Sequence, residues 1–138
     1  MNILDATRSW LRANCPLIDG KNRFNAGYLG AQSIEYAVTL SGESHRQDVL
    51  GNDTATFSLL FSACLPYGAA TKDNLSAADF FFNLSAWLRG AERAHDYPTG
   101  VSGYCVTRME PSNAGMILKA DANTARYQMQ IQMILEEK

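Results

Sequence analysis

Apolar and polar residues alternate over residues 33–40, where Ile34, Tyr36, Val38 and Leu40 face one way and Glu35, Ala37 and Thr39 the other. A period of two marks a strand with one buried face, because successive side chains leave a pleated backbone on opposite sides. The alternation returns over 53–63 through Ala55, Phe57, Leu59 and Phe61. It returns again over 125–135, where Tyr127, Met129, Ile131, Met133 and Leu135 oppose Arg126, Gln128, Gln130 and Gln132. Between the first two runs, residues 41–52 are polar and carry Glu43, His45, Arg46 and Asp48. They predict a hairpin with a long tip, the kind of loop that commonly carries function. Further strands are predicted over 101–109 and 115–120, with turns at 111–113 and 121–123.

Two stretches follow the helical period instead. Ile3, Leu4, Thr7, Trp10 and Leu11 share one face and predict a helix over 3–14, capped by Asn2 and ended by Pro16. Ala77, Phe80, Phe81, Leu84, Trp87, Leu88 and Ala91 make a longer apolar stripe and predict a helix over 77–94, with Ser76 as its N-cap. Arg89 and Arg93 fall in its last turns, where cations complement the helix dipole. Residues 19–30, rich in Gly and Asn, and residues 65–74, with Pro66 and Gly68, predict loops. Phe24 and Tyr28 are expected to tack the first of these to the core.

The order is helix, two strands, helix and a three-stranded meander. Amphipathic helices need an apolar surface, and a sheet with one apolar face supplies it. The expected fold is α+β: a mostly antiparallel sheet of about five strands with two helices packed on one face. A chain of 138 residues with 46% hydrophobic residues suits a single domain with its own core.

Composition excludes more than it assigns. A net charge of -2 gives no electrostatic handle for nucleic acid or an anionic membrane. Cys15, Cys64 and Cys105 are odd in number and far apart, which fits a reducing compartment rather than a disulfide scaffold. They are expected to be buried thiols. No signal peptide is read at the N-terminus, and no run is long enough to cross a bilayer. No CxxC or Cys/His cluster points to a metal, and Gly20, Gly27 and Gly30 make no phosphate-binding loop. His95 beside Asp96, with Cys105 as a nucleophile, can be drawn as a relay, but adjacent residues rarely aim at one another, and His95 suits a helix C-terminus better. Glu35 has no carboxylate partner at a fixed offset. The expectation is therefore no enzyme, no cofactor and no catalytic or metal residues.

The layout resembles a known family. Trp10-Leu11 followed by Cys15-Pro16-Leu17-Ile18, the strand from Asp53 through Leu59, the aromatic helix and the closing strand from Ala125 through Gln132 resemble the minor capsid and tail-terminator-like proteins of long-tailed bacteriophages and prophages. The resemblance implies a virion protein, assembled in the host cytoplasm, that forms a homo-oligomeric ring, a hexamer on the tail. That ring caps the tail tube protein and meets a head-completion or neck protein. The family's motifs carry no residue-by-residue roles. Interface candidates come from this chain alone: Glu43, His45, Arg46 and Asp48 at the tip, Arg126, Gln128 and Gln130 on the outer sheet face, and Arg89 and Arg93 on the second helix. A head-completion or connector protein, a small-ligand-binding domain and a regulatory interaction domain stay open as alternatives.

Overall fold

The computed structural model describes residues 2–18, 23–26, 35–66, 71–120 and 124–138. Two helices and five strands follow in the order α1 (Ile3–Asn14), β1 (Arg23–Ala26), β2 (Glu35–Gln47), β3 (Asp53–Pro66), α2 (Thr71–Arg93), β4 (Tyr104–Ala120) and β5 (Thr124–Glu137). They build an α+β fold on one sheet of order β1-β2-β3-β5-β4. Only β1 and β2 pair in parallel; the other neighbours are antiparallel. Because β5 lies antiparallel to both β3 and β4, those two run parallel with β5 between them, and α2 carries the chain over it.

The apolar face of the sheet is set by register. Val38 pairs with Phe61 and Phe61 with Met129; Leu59 pairs with Ile131 and Ile131 with Pro111. Every odd residue of β5 from Ala125 to Leu135 is buried, as alternation requires. Both helices cover this face. The Thr7 hydroxyl of α1 donates to the Met133 sulfur at 3.9 Å, and Phe81, Leu84 and Leu88 of α2 are buried in the same core. The helices meet each other where the Trp10 and Trp87 rings stand 5.0 Å apart, and Trp10 Nε1 donates to Asp96 beyond the end of α2. Phe61 is the hub of the aromatic packing, with ring centroids 5.8 Å from Phe24 and Tyr36 and 6.3 Å from Phe80 and Phe81. Phe82 points away, 73% exposed.

Several boundaries differ from the sequence reading. Residues 23–26 of the expected loop form β1, and Arg8 Nε donates to the Phe24 carbonyl at 2.6 Å to hold it beside α1. The rest of that loop, Tyr28, Ile34 and the expected turn at 121–123 lie outside the described residues. The expected hairpin tip over 41–52 is mostly strand: β2 runs to Gln47 and only five residues turn. α2 begins at Thr71, so Ser76 lies inside the helix and is not its cap. The two strands expected on either side of 111–113 are one strand, β4. Register shifts at 106/108, 112/116 and 117/119 absorb its extra residues, and Pro111 is tolerated because β4 is an edge strand. Because those two strands are one, the expected three-stranded meander is an antiparallel pair, β4 and β5, of which β5 also pairs with β3. Residues Glu35 to Val38 are buried on both faces rather than half-buried.

α2 ends in a paired-bond cap. His95 N–H donates to Glu92 O at 3.1 Å and Asp96 N–H to Ala91 O at 2.9 Å, with His95 at φ 54°. That left-handed position usually belongs to glycine.

The sheet has two free edges among the described residues. β1 pairs with β2 only through Val38, so β2 from Thr39 to Gln47 has no strand on its outer side, and a bulge interrupts it between Leu40 and Gly42. β4 forms the other edge.

Two stability outcomes follow. Phe61→Ala should lower unfolding free energy by about 3–5 kcal/mol in urea titration, since it empties the aromatic hub. His95→Gly should raise it by up to about 1 kcal/mol by removing the left-handed strain of a residue with a Cβ.

Candidate interaction site at the hairpin arm

From Leu40 to the turn at 48–52, β2 forms an arm at the edge of the sheet whose residues are largely exposed, while β3 beside it stays paired with β5 as far as Thr54. Register fixes what each side carries. Glu43 pairs with Phe57, His45 with Ala55 and Gln47 with Asp53, so these share the face that the helices cover lower down. Gly42, Ser44 and Arg46 share the outer face with Ser58, Thr56 and Thr54.

A chain of hydrogen bonds locks the inner face of the arm. His45 Nε2 lies 2.7 Å from Glu43 Oε2, and His45 Nδ1 lies 2.7 Å from Asp53 Oδ2. The Tyr104 hydroxyl donates to the same Asp53 oxygen at 2.6 Å, tying β4 to the arm. Asp53 N–H donates to Glu137 of β5 at 2.9 Å. Both ring nitrogens of His45 face carboxylates, and both can donate only in the imidazolium. Glu43 and then Asp53 therefore raise the His45 pKa above the usual 6.5. Tyr104 and then His45 hold Asp53 below the usual 3.8, and the bond to Asp53 pushes Tyr104 up to about 12. In its imidazolium form His45 donates to both carboxylates and so ties Glu43 to Asp53 and braces the arm.

The turn is braced separately. The Asp48 carboxylate accepts from Leu50 N–H at 2.8 Å and from Asn52 N–H at 2.9 Å, and Gly51 takes φ 86°. Those bonds draw Asp48 below the usual carboxylate value. They also turn outward two aliphatic side chains, Val49 at 101% and Leu50 at 82% exposure. Neither Val49 nor Leu50 was singled out from the sequence, because two apolar residues in a polar stretch have no periodicity to betray them.

At the base of the arm lies a cleft of about 510 Å³. Ile3 and Leu4 of α1, Leu40, Phe57 and Val101 make it apolar, and Glu43 and Tyr104 stand at its side.

The expected interface residues are scattered over three surfaces. Glu43 and His45 join one another through the bracing cluster, Arg46 is exposed on the opposite side of the arm, and Asp48 is used by the turn. Gln128 pairs with Ser62 and Met116, and Gln130 with Leu60 and Ser112, so both stand on the outer face in mid-sheet. Arg126 shares that face at its far end, in register with Cys64. Arg89 and Arg93 line a separate groove of about 270 Å³ beside Arg108 and Glu110. Cys105 is exposed, not buried as expected, because its register opposite Glu136 turns it to the outer face. Cys15 and Cys64 are buried. His95, Asp96 and Cys105 line one shallow cleft, yet Asp96 accepts from Trp10 and His95 Nδ1 lies 3.3 Å from the Tyr97 hydroxyl, so each is engaged elsewhere.

Among the described residues no His, Cys, Asp and Glu group is placed to hold a metal ion, and no helix is long and apolar enough to cross a membrane. No protein-family model matches the chain, and no curated protein matches it.

The brace has a pH window. His45 stabilises the fold fully below pH 6.5, and that contribution is lost as pH rises through its raised folded value; the Asp53 contribution holds above 3.8 and is lost as pH falls through its depressed one. Side-chain NMR titration should place the His45 midpoint above 6.5, and Asp53→Asn should move it down.

Proposed function

We propose that the chain is a virion assembly protein of the tail-terminator type: a homo-oligomeric ring in the phage neck that caps the tail tube and presents a surface to the head. The observation that carries this reading is the arm. The turn at 48–52 stands past the last pairs of β3 with β5 and of β4 with β5, is held by the Asp48 carboxylate, and leaves Val49 and Leu50 exposed. Exposed aliphatic side chains on a rigid support gain free energy by leaving water against another surface. Ring closure asks for a heterologous contact, in which one patch of each subunit meets a different patch of the next. The arm and the outer sheet face, with Arg126, Gln128 and Gln130, offer such unlike patches. A ring of this type ends growth because its far surface does not repeat the surface it caps. A head-completion protein would use the same kind of ring and would remain with heads rather than tails.

A second reading has one observation in its favour. The cleft at the base of the arm is apolar with a carboxylate at its side, which suits a small apolar ligand with a cationic end.

Light scattering should give the mass of a closed oligomer, or of a monomer that becomes a ring on purified tail tubes. A strict monomer that ignores tubes and gains thermal stability from a small amphiphilic cation would favour the ligand reading. Arg46→Glu should leave the fold intact, because Arg46 is exposed and takes no part in the bracing cluster, and should impair capping of tubes in an assembly assay.

A further inference from the structure

His45 stands where four strands meet. Its own strand β2 brings Glu43 to the ring and β3 brings Asp53. To Asp53, β4 adds the Tyr104 hydroxyl and β5 adds Glu137, which accepts from the Asp53 N–H. The Phe57 ring of β3 stands edge-on to the imidazole, with centroids 6.3 Å apart. Beside Glu43, α1 contributes Asn2, Ile3 and Leu4, none of which titrates. Arg46 is on the opposite face of β2. Among the described residues, the charges that bear on the ring are the carboxylates of Glu43 and Asp53.

Two carboxylate contacts at 2.7 Å use two donors, and only the charged ring has two. The neutral ring has one N–H and one lone pair. A lone pair and a carboxylate oxygen are both acceptors and do not hold that distance, so one contact opens when the proton leaves. The two carboxylates are unequal. The Asp53 side chain is 19% exposed, and it also accepts from Tyr104 at 2.6 Å. The Glu43 side chain is 46% exposed, and His45 is its hydrogen-bond partner among the described residues. Released, Glu43 regains water at little cost, whereas a released Asp53 stays more covered and loses one of its two side-chain donors.

We propose that His45 is a proton-operated latch: charged, it ties Glu43 to Asp53; neutral, it keeps Asp53 through Nδ1–H and lets Glu43 go. The β3, β4 and β5 side stays tied in both forms, because Tyr104 and Glu137 hold Asp53 without that proton. What loosens is β2 past the bulge at Leu40/Gly42, which keeps its main-chain pairing with β3 and loses its side-chain tie. The bonds to Glu43 and then Asp53 raise the ring's pKa above 6.5, so the latch is shut below 6.5 and opens as pH rises through the raised value. It stands independently of the assembly reading.

Nitrogen NMR of the His45 ring and hydrogen exchange test it. Above the midpoint of the titration the neutral ring should carry its proton on Nδ1. Exchange is expressed as protection relative to an unstructured peptide at the same pH. The amides of residues 42–47 that bond to β3 should lose up to about fivefold in protection across the midpoint, the scale of one exposed ion pair. Those of Met129 and Ile131 should hold. Glu43→Gln should abolish the loss, since its amide accepts from a charged ring and donates to a neutral one. Its circular dichroism should match that of the parent, as the side chain is half exposed. A neutral ring protonated on Nε2 overturns the latch, because Glu43 has then been kept and Asp53 released. Protection at 42–47 that stays level through the midpoint, or that falls equally in Glu43→Gln, also overturns it. So does a fall shared evenly by Met129 and Ile131.

Discussion

The other elements depend on the burial of one face of β5 between β3 and β4. Tyr127, Met129, Ile131, Met133 and Leu135 stand in register with Ala63, Phe61, Leu59, Phe57 and Ala55 on one side, and all but Met129, which falls at an irregularity of β4, with residues of β4 on the other. This row is the floor on which the helices rest. β3 and β4 have no contact in the sheet except through it. The C-terminal strand thus supplies the middle of the structure, and the earlier strands gain their full set of neighbours only when residues 124–137 are in place. Contacts so distant in sequence carry a large loop-closure cost before they return any stabilisation, which is the regime of slow folding.

Much of this was legible in the chain. The alternation of β3 and β5 and the stripe Phe81-Leu84-Leu88 reflect burial on one face, and burial is what periodicity encodes. Legibility fails where burial stops being one-sided. β1 is four residues long in a stretch dominated by turn formers, and it forms because β2 and the Arg8 guanidinium receive it. Glu35 reads as a solvent-facing position yet is buried, since the start of β2 is covered on both faces. Pro111 reads as a break because sequence alone does not say that its strand lies at an edge.

The arm shows the same limit in a sharper form. Glu43, His45 and Gln47 share the face of Tyr36, Val38 and Leu40 only because the bulge at Leu40/Gly42 shifts the period by one residue, and as polar residues they leave no hydrophobic trace, so the strand reads as loop. Extending the register of Tyr36↔Ala63 without the bulge would pair His45 with Thr54; the bulge pairs it with Ala55 and puts it on the face of Asp53. Tyr104, fifty-one residues beyond Asp53, carries no such signal; only the position of β4 in the sheet brings its hydroxyl there. The residues with the greatest exposed apolar surface, Val49 and Leu50, are the ones that pattern analysis passes over, because it searches for what is buried.

Among the described residues, β2 beyond Val38 has a free outer edge. Unpaired peptide groups along an extended strand are a template on which another strand can lay itself down, and then another, without any natural end. The bulge at Leu40/Gly42 breaks the spacing of those groups midway, and Glu43, His45 and Arg46 set charge along the remainder. A strand with regular spacing cannot match both halves of such an edge at once. Indiscriminate stacking is thereby starved of a continuous template, and a visiting chain must bring its own irregularity to fit.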